Sequence, residues 1–279
     1  MWGRRGPNAG EFVRPRVITA AKDGHIYVAD TSARVQKFTQ NGKFVTQWRI
    51  PKPIANSSEG PEGIAALKDG SIAVTNTHAQ TVLIYSPQGK LLRQWGTYGT
   101  KPGQFLLVTG LCVDSDGNIF TADYGGQFDR IQKWTPQGKL LAAWPGHGSG
   151  PRQFRRPCGL AISKDGDLLV ADIANHRVQR LDRFTGKFKG IIGTPGRAPG
   201  QLTYPYGVAV DEAGNIYTVE WTHRVQKWTP EGKFVAVWGE PGHKPGQLAN
   251  PWGLAVDSQQ NIYVADTQNH RVQKFRFEQ

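Results

Sequence analysis

An all-β fold built from one repeated four-stranded unit is what this sequence predicts, on three observations. First, the chain repeats itself. The turn glycines Gly24, Gly70, Gly117, Gly166 and Gly214 lie 46, 47, 49 and 48 residues apart, and Gln260 follows after another 46. A period of that length fixes the architecture before any single residue is read. Second, every unit carries short strand patterns punctuated by Gly, Pro and Asp, and nothing recurs at i, i+3, i+4 as a helical repeat would require. Third, one strand per unit, such as Ile262-Tyr263-Val264-Ala265, is apolar on consecutive residues, so both of its faces must be covered. Four-stranded sheets stacked face to face around an axis meet that demand. The prediction is a six-bladed β-propeller of four-stranded antiparallel blades, the last one incomplete.

The elements follow in order from the clearest copy. Pro251-Trp252-Gly253-Leu254-Ala255-Val256-Asp257 is a first strand, and equivalent blocks start at Pro15, Pro61, Val108, Pro157 and Pro205. An Asp-x-Gly turn leads to the second strand, Asn261 to Asp266, and a polar loop leads to the third, Arg271 to Phe275. A Thr-Pro-x-Gly-Lys turn then opens a fourth strand that ends in Trp-Gly, as at Trp95 and Trp238, and Trp48, Trp95, Trp144 and Trp238 recur at one repeat position that reads as core packing. The units span about 4–48, 49–96, 97–146, 147–193, 194–239 and 240–279, a single domain. Unit six stops after its third strand, while Trp2-Gly3 matches the end of a fourth. Three residues supply only the tail of that strand, so the closing blade is expected to have three strands and a fragment.

Composition agrees with a packed domain. Hydrophobic residues make up 38% of the 279, enough for a core, and no apolar run approaches the length of a membrane span. Met1 leads straight into Trp2-Gly3-Arg4-Arg5 without an apolar leader. Cys112 and Cys158 sit at non-equivalent positions and form no disulfide framework, which favours the cytoplasm and buried thiols. A monomer without membrane insertion is expected.

The Asn-His-Arg-Val at 175–178 and 269–272, with Pro-Gly-Gln upstream and Val-Ala-Asp before it, resembles the NHL repeat across all six units. The opening Trp2-Gly3-Arg4-Arg5-Gly6, Asp129-Arg130-Ile131-Gln132-Lys133 and Pro251-Trp252 are similar to stand-alone bacterial NHL proteins. The resemblance implies the propeller fold. It leaves function open among RNA-binding modules, protein-interaction domains and an amidating lyase.

The repeat also serves as an internal control, since a residue type recurring at one position is scaffold and a departure is a candidate for function. His176, His223 and His270 recur before Arg and read as loop braces. Asp30, Asp123, Asp172, Glu220 and Asp266 recur as well and are expected to accept backbone N–H bonds in their loops, with Asn76 standing in for them in unit two. The residue before the first strand does not recur. Around the ring it reads Arg16, Glu62, Thr109, Cys158, Tyr206 and Trp252, and this channel mouth is where a ligand would be read. Peptidylglycine amidating lyases place zinc-binding histidines at this kind of position, and this ring has none. Gluconolactonase-like propellers place Glu, Asn and Asp there for a divalent cation, and only Glu62 matches. No metal, cofactor or catalytic residue is assigned, and Arg16 with Glu62 reads as an ion pair.

The net charge of +12 gathers on the face formed by the loops leading into each first strand and those joining second to third strands, here called the top. Arg152, Arg155 and Arg156 are its densest cluster, and Tyr124, Phe128, Tyr204, Tyr206, Trp221 and Trp252 lie near the same loops. The expectation is a binding or scaffold module whose top face and channel mouth hold an anionic protein or glycan. A single-stranded RNA-binding module and a propeller hydrolase or lyase are the alternatives. Asn56-Ser57-Ser58 fits a glycosylation acceptor, and its divergent linker reads as a further partner contact.

Overall fold

A computed structural model describes residues 1–51 and 60–276, and the Asn56 acceptor lies outside the described residues. Five sheets contain four strands in sequential order and the sixth contains three, all pairs antiparallel within each blade. Blade 4 is representative: Pro157–Ile162, Leu168–Asp172, Arg177–Leu181 and Phe188–Ile192 run from the axis to the rim. The second and third strands are almost wholly buried, while the outer strands alternate between inside and outside. Apolar clusters fill each space between neighbouring blades.

Sixth-blade closure follows the sequence reading. Leu254–Val256, Asn261–Asp266 and Arg271–Arg276 form its three strands. Trp2 and Val272 exchange N–H···O bonds of 3.0 and 2.9 Å, so the N-terminus supplies the end of the fourth strand. The Trp2 indole then lies over Gly42 of blade 1, as Trp48, Trp95 and Trp144 lie over Gly89, Gly138 and Gly186 of the next blades. A Cβ on any of these glycines would meet the ring at 2.5–2.8 Å, so the turn needs Gly both for its positive φ and for the tryptophan.

Glycine also sets the channel. It follows the mouth residue in blades 2 to 6, and a Cβ on Gly110 would stand 1.9 Å from the carbonyl oxygen of Cys158 in the next blade. First strands therefore approach backbone to backbone around the axis. The channel below the mouth holds a cavity of about 270 Å³, lined by first-strand segments such as 18–20, 64–66 and 208–210. Among the described residues no helix is long and apolar enough to cross a membrane.

Candidate functional site

Most of the polar machinery on the top face holds the loops in shape. In five blades the acid closing the second strand pairs at 2.7–2.9 Å with the arginine opening the third: Asp30 with Arg34, Asp123 with Arg130, Asp172 with Arg177, Glu220 with Arg224 and Asp266 with Arg271. The arginine donates onward to carbonyls of the loop leading into its own blade, as Arg177 does to Gly150 and Gln153. A glutamine two residues on, Gln179 in blade 4, donates to the same Gln153 carbonyl at 2.7 Å and accepts the Arg152 N–H at 2.9 Å. Each acid also accepts an N–H from that loop, such as Arg155 N–H on Asp172 at 2.7 Å. The carboxylates thus brace the lead-in loop more than their own loop, which corrects the partner expected from sequence. These buried pairs cancel in charge, so the five arginines add nothing to the accessible charge of the top face. Burial pushes the Asp123 carboxyl up to about 6, against the opposing pull of Arg130 and two backbone N–H groups.

Blade 2 lacks the whole set together: Asn76, Thr81 and Leu83 stand where acid, arginine and glutamine stand elsewhere. Asn76 instead donates to the Pro51 carbonyl at 2.8 Å. With no Pro-Gly-Gln-Phe loop to clamp, there is nothing for the arginine to hold.

The histidines brace one blade against the next. His176, His223 and His270 each accept at Nδ1 the N–H of the residue before the next blade's proline: Tyr204 at 3.1 Å, Asn250 at 2.8 Å and Arg14 at 3.0 Å. Those recipients have φ of 47–52°, a left-handed geometry held from outside the loop. In blade 3 Asp129 takes this role toward Arg156 N–H and also meets His147 Nδ1 at 2.9 Å.

The channel mouth is closed by its own side chains. Arg16 bridges Glu62 at 3.1 Å and lies 4.3 Å above the Trp252 ring, whose neighbour Tyr206 is stacked at 4.0 Å with planes 9° apart. Thr109 is fully buried and donates to the Pro157 carbonyl at 2.8 Å. Cys158 is buried too, and burial, with Glu62 adding to it, pushes the thiol up to about 12. Two of the six mouth residues are therefore withdrawn from any ligand, and the remaining four contact one another. The cavity at the mouth is about 60 Å³. Among the described residues no group of three His, Cys, Asp or Glu side chains is placed to hold a metal ion.

Outside the mouth the picture reverses. Arg152, Arg155 and Arg156 are exposed, and Arg156 lies 5.3 Å from the half-buried Tyr124 ring. Phe128 is exposed beside them in sequence, on the loop before Asp129. On blade 5 Tyr204 and Trp221 are exposed, with ring centroids 6.2 Å apart and planes at 78°.

Comparison with known proteins bears on this geometry. The NHL repeat profile matches residues 154–181 and 248–275, and a β-propeller repeat profile matches 191–223. The chain carries NHL repeats at these two segments of a six-bladed propeller. A protein of unknown function from Bacteroides thetaiotaomicron is similar in structure, with a TM-score of 0.77 at 15% identity over 99% of this chain and 74% of that one. So is virginiamycin B lyase from Staphylococcus aureus, at TM-score 0.65 and 16% identity over 98% and 82%. A gluconolactonase from Xanthomonas campestris gives 0.65 and 15% over 92% and 84%. Identities this low carry the propeller fold alone, and function rests on this chain's own residues.

Sequence reasoning located the exposed arginines and aromatics of the top face. It missed the length difference between the loops at 173–176 and 221–223, a signal present in the alignment of the repeats.

Proposed function

We propose that this propeller is a non-catalytic binding module whose top face holds a negatively charged protein or glycan partner. The observation that carries the reading is Arg152. Its φ is 59°, in the left-handed region, and the counterpart loops use Gly10, Gly103, Gly200 and Gly246 at φ of 78–91°. A side chain there costs about 1 kcal/mol. Gln179 holds the backbone there by accepting the Arg152 N–H at 2.9 Å, while the Arg152 side chain makes no hydrogen bond or ion pair among the described residues. An arginine kept at a glycine position with its guanidinium free of polar contacts supports a partner outside the chain. Arg155 and Arg156 follow from the same loop and are likewise exposed. The closed mouth and the unreactive Cys158 thiol favour binding over chemistry at the axis.

The test is binding of a heparin oligosaccharide and of a polyglutamate peptide across a salt series, to the wild type and to an Arg152→Glu/Arg155→Glu variant. The Arg155 contact to Asp172 runs through its backbone N–H, so the variant keeps the clamp. At least one probe is expected to bind with steep salt dependence, weakened more than tenfold by the reversal at unchanged thermal stability. Absence of binding at low salt, or binding indifferent to the reversal, would overturn the reading. A single-stranded RNA bound more tightly than both probes would replace it with the nucleic-acid alternative.

A further inference from the structure

In blade 5 a groove borders the short loop between the second and third strands. In blades 4 and 6 four residues separate the acid from its arginine, Ile173 to His176 and Thr267 to His270, and each stretch contains a short 3-10 turn. In blade 5 only Trp221, Thr222 and His223 intervene between Glu220 and Arg224. The missing residue is the asparagine. Asn175 donates to the Gly148 carbonyl at 2.8 Å and to Asp172 at 2.9 Å, and Asn269 donates likewise to Gly242 and Asp266, both at 2.9 Å. Blade 5 makes up for the loss in two ways. Glu220, one methylene longer than Asp, still reaches Arg224 at 2.8 Å, Gln226 at 2.7 Å and Thr203 N–H at 2.8 Å. The Gly196 carbonyl, left without an asparagine, accepts from the Thr203 hydroxyl at 2.7 Å.

The clamp therefore survives the deletion, and the space does not close. A groove of about 360 Å³ lies there, lined by Arg197, Trp221, Thr222, His223, Arg224 and Pro241. The residue after the acid is buried in blades 1, 2, 4 and 6, as Thr31, Thr77, Ile173 and Thr267, whereas in blade 5 it is Trp221 at 42% exposure. Arg197 on the rim is exposed and has no ion-pair partner among the described residues. Blade 1 has the same three-residue spacing, with Asp30 still 2.8 Å from Arg34, so what sets blade 5 apart is the outward-facing Trp221 beside the exposed Arg197.

We propose that this groove binds a hexuronate unit of an acidic glycan, with the sugar's C–H face on Trp221 and its carboxylate on Arg197. The proposal rests on the reading of the top face as a surface for negatively charged partners and names the ligand class at one site on it. An aromatic face receives the polarised C–H bonds of a pyranose, and a guanidinium pairs a carboxylate in bidentate geometry. A stack of nucleobases needs successive coplanar platforms, and Tyr204 stands at 78° to Trp221. That corner admits one ring against a face and an edge, and it interrupts a continuing stack.

The test is an NMR titration with digalacturonate, too short to span the face, and with polygalacturonate. The Trp221 indole N–H signal, assigned by its loss in Trp221→Phe, is expected to shift on adding the dimer. Arg197→Glu is expected to abolish the shift and Arg155→Glu to leave its midpoint within about twofold, whereas neutral digalactose should shift it at least tenfold more weakly. Trp221 is exposed, so these variants should melt as the wild type does. A dimer that moves no Trp221 signal, while the polymer binds through Arg152 and Arg155, overturns the groove proposal and leaves the wider reading standing. Polymer binding that is indifferent to every charge reversal overturns both. An oligouridylate that shifts Trp221 more tightly than the dimer overturns the glycan assignment.

Discussion

Blades 4 and 5 share one loop scaffold and differ by one residue in one loop. In blade 4 Asp172 collects Asn175, Arg177, Gln179 and the Arg155 N–H, and the loop surface is filled. In blade 5 Glu220 collects Arg224, Gln226 and the Thr203 N–H, and a groove opens under Trp221. The carboxylate–arginine–glutamine set is kept in five of the six blades, while the loop over it changes. Function is therefore expected in the covering loops, and stability in the set beneath them.

The largest predicted effect comes from breaking the shared part. Asp172→Ala strands Arg177 in a buried site and should cost about 3–5 kcal/mol, read from the denaturant midpoint at unchanged slope. Asn76→Ala in blade 2 loses one hydrogen bond and no charge pair, so about 1 kcal/mol is expected there. Equal costs would show that the clamp is dispensable. Glu220→Asp sharpens the comparison, because it shortens the reach while the loop stays short. Blade 1 keeps Asp30 at 2.8 Å from Arg34 over the same three-residue spacing, so the cost should stay below about 1 kcal/mol.

The smallest effect concerns the braces. His223 must be neutral to accept the Asn250 N–H at Nδ1, and burial lowers its pKa below the ordinary 6.5. The folded state then binds fewer protons than the unfolded state between the two values, so stability is full above about 6.5 and falls as pH drops through that window. His270, lowered for the same reason, contributes in the same direction. Replacing His223 with Gln should flatten part of that loss, measured as the difference in denaturant midpoint between wild type and variant at pH 7.5 and pH 5. A difference that grows toward low pH would contradict the brace.

The fold was legible because it is written six times. Turn glycines, apolar second strands and the Trp-Gly ends each repeat, and packing between blades requires all three. Trp2 was legible as a fourth-strand end for the same reason. The mouth was legible as the variable ring and Arg16 with Glu62 as its ion pair, but its closure was not: that Arg16 also lies over Trp252, and that Thr109 and Cys158 turn inward, depends on contacts across blades that sequence spacing does not encode. The buried arginines looked like surface charge because their partners lie in lead-in loops some 23–31 residues away in sequence. Blade 5 was marked in the sequence by Trp221 alone, and the comparison with Asn175 and Asn269 shows what its shorter loop lacks.

The most direct test of the central claim converts one loop into the other. Replacing residues 220–223 with the sequence of residues 172–176 restores the asparagine, shortens the acid and removes the exposed Trp while keeping the clamp and the brace. The account predicts a protein at least as stable as the wild type that no longer binds digalacturonate yet still binds polygalacturonate through Arg152 and Arg155. Undiminished binding of the dimer to the converted protein would contradict it.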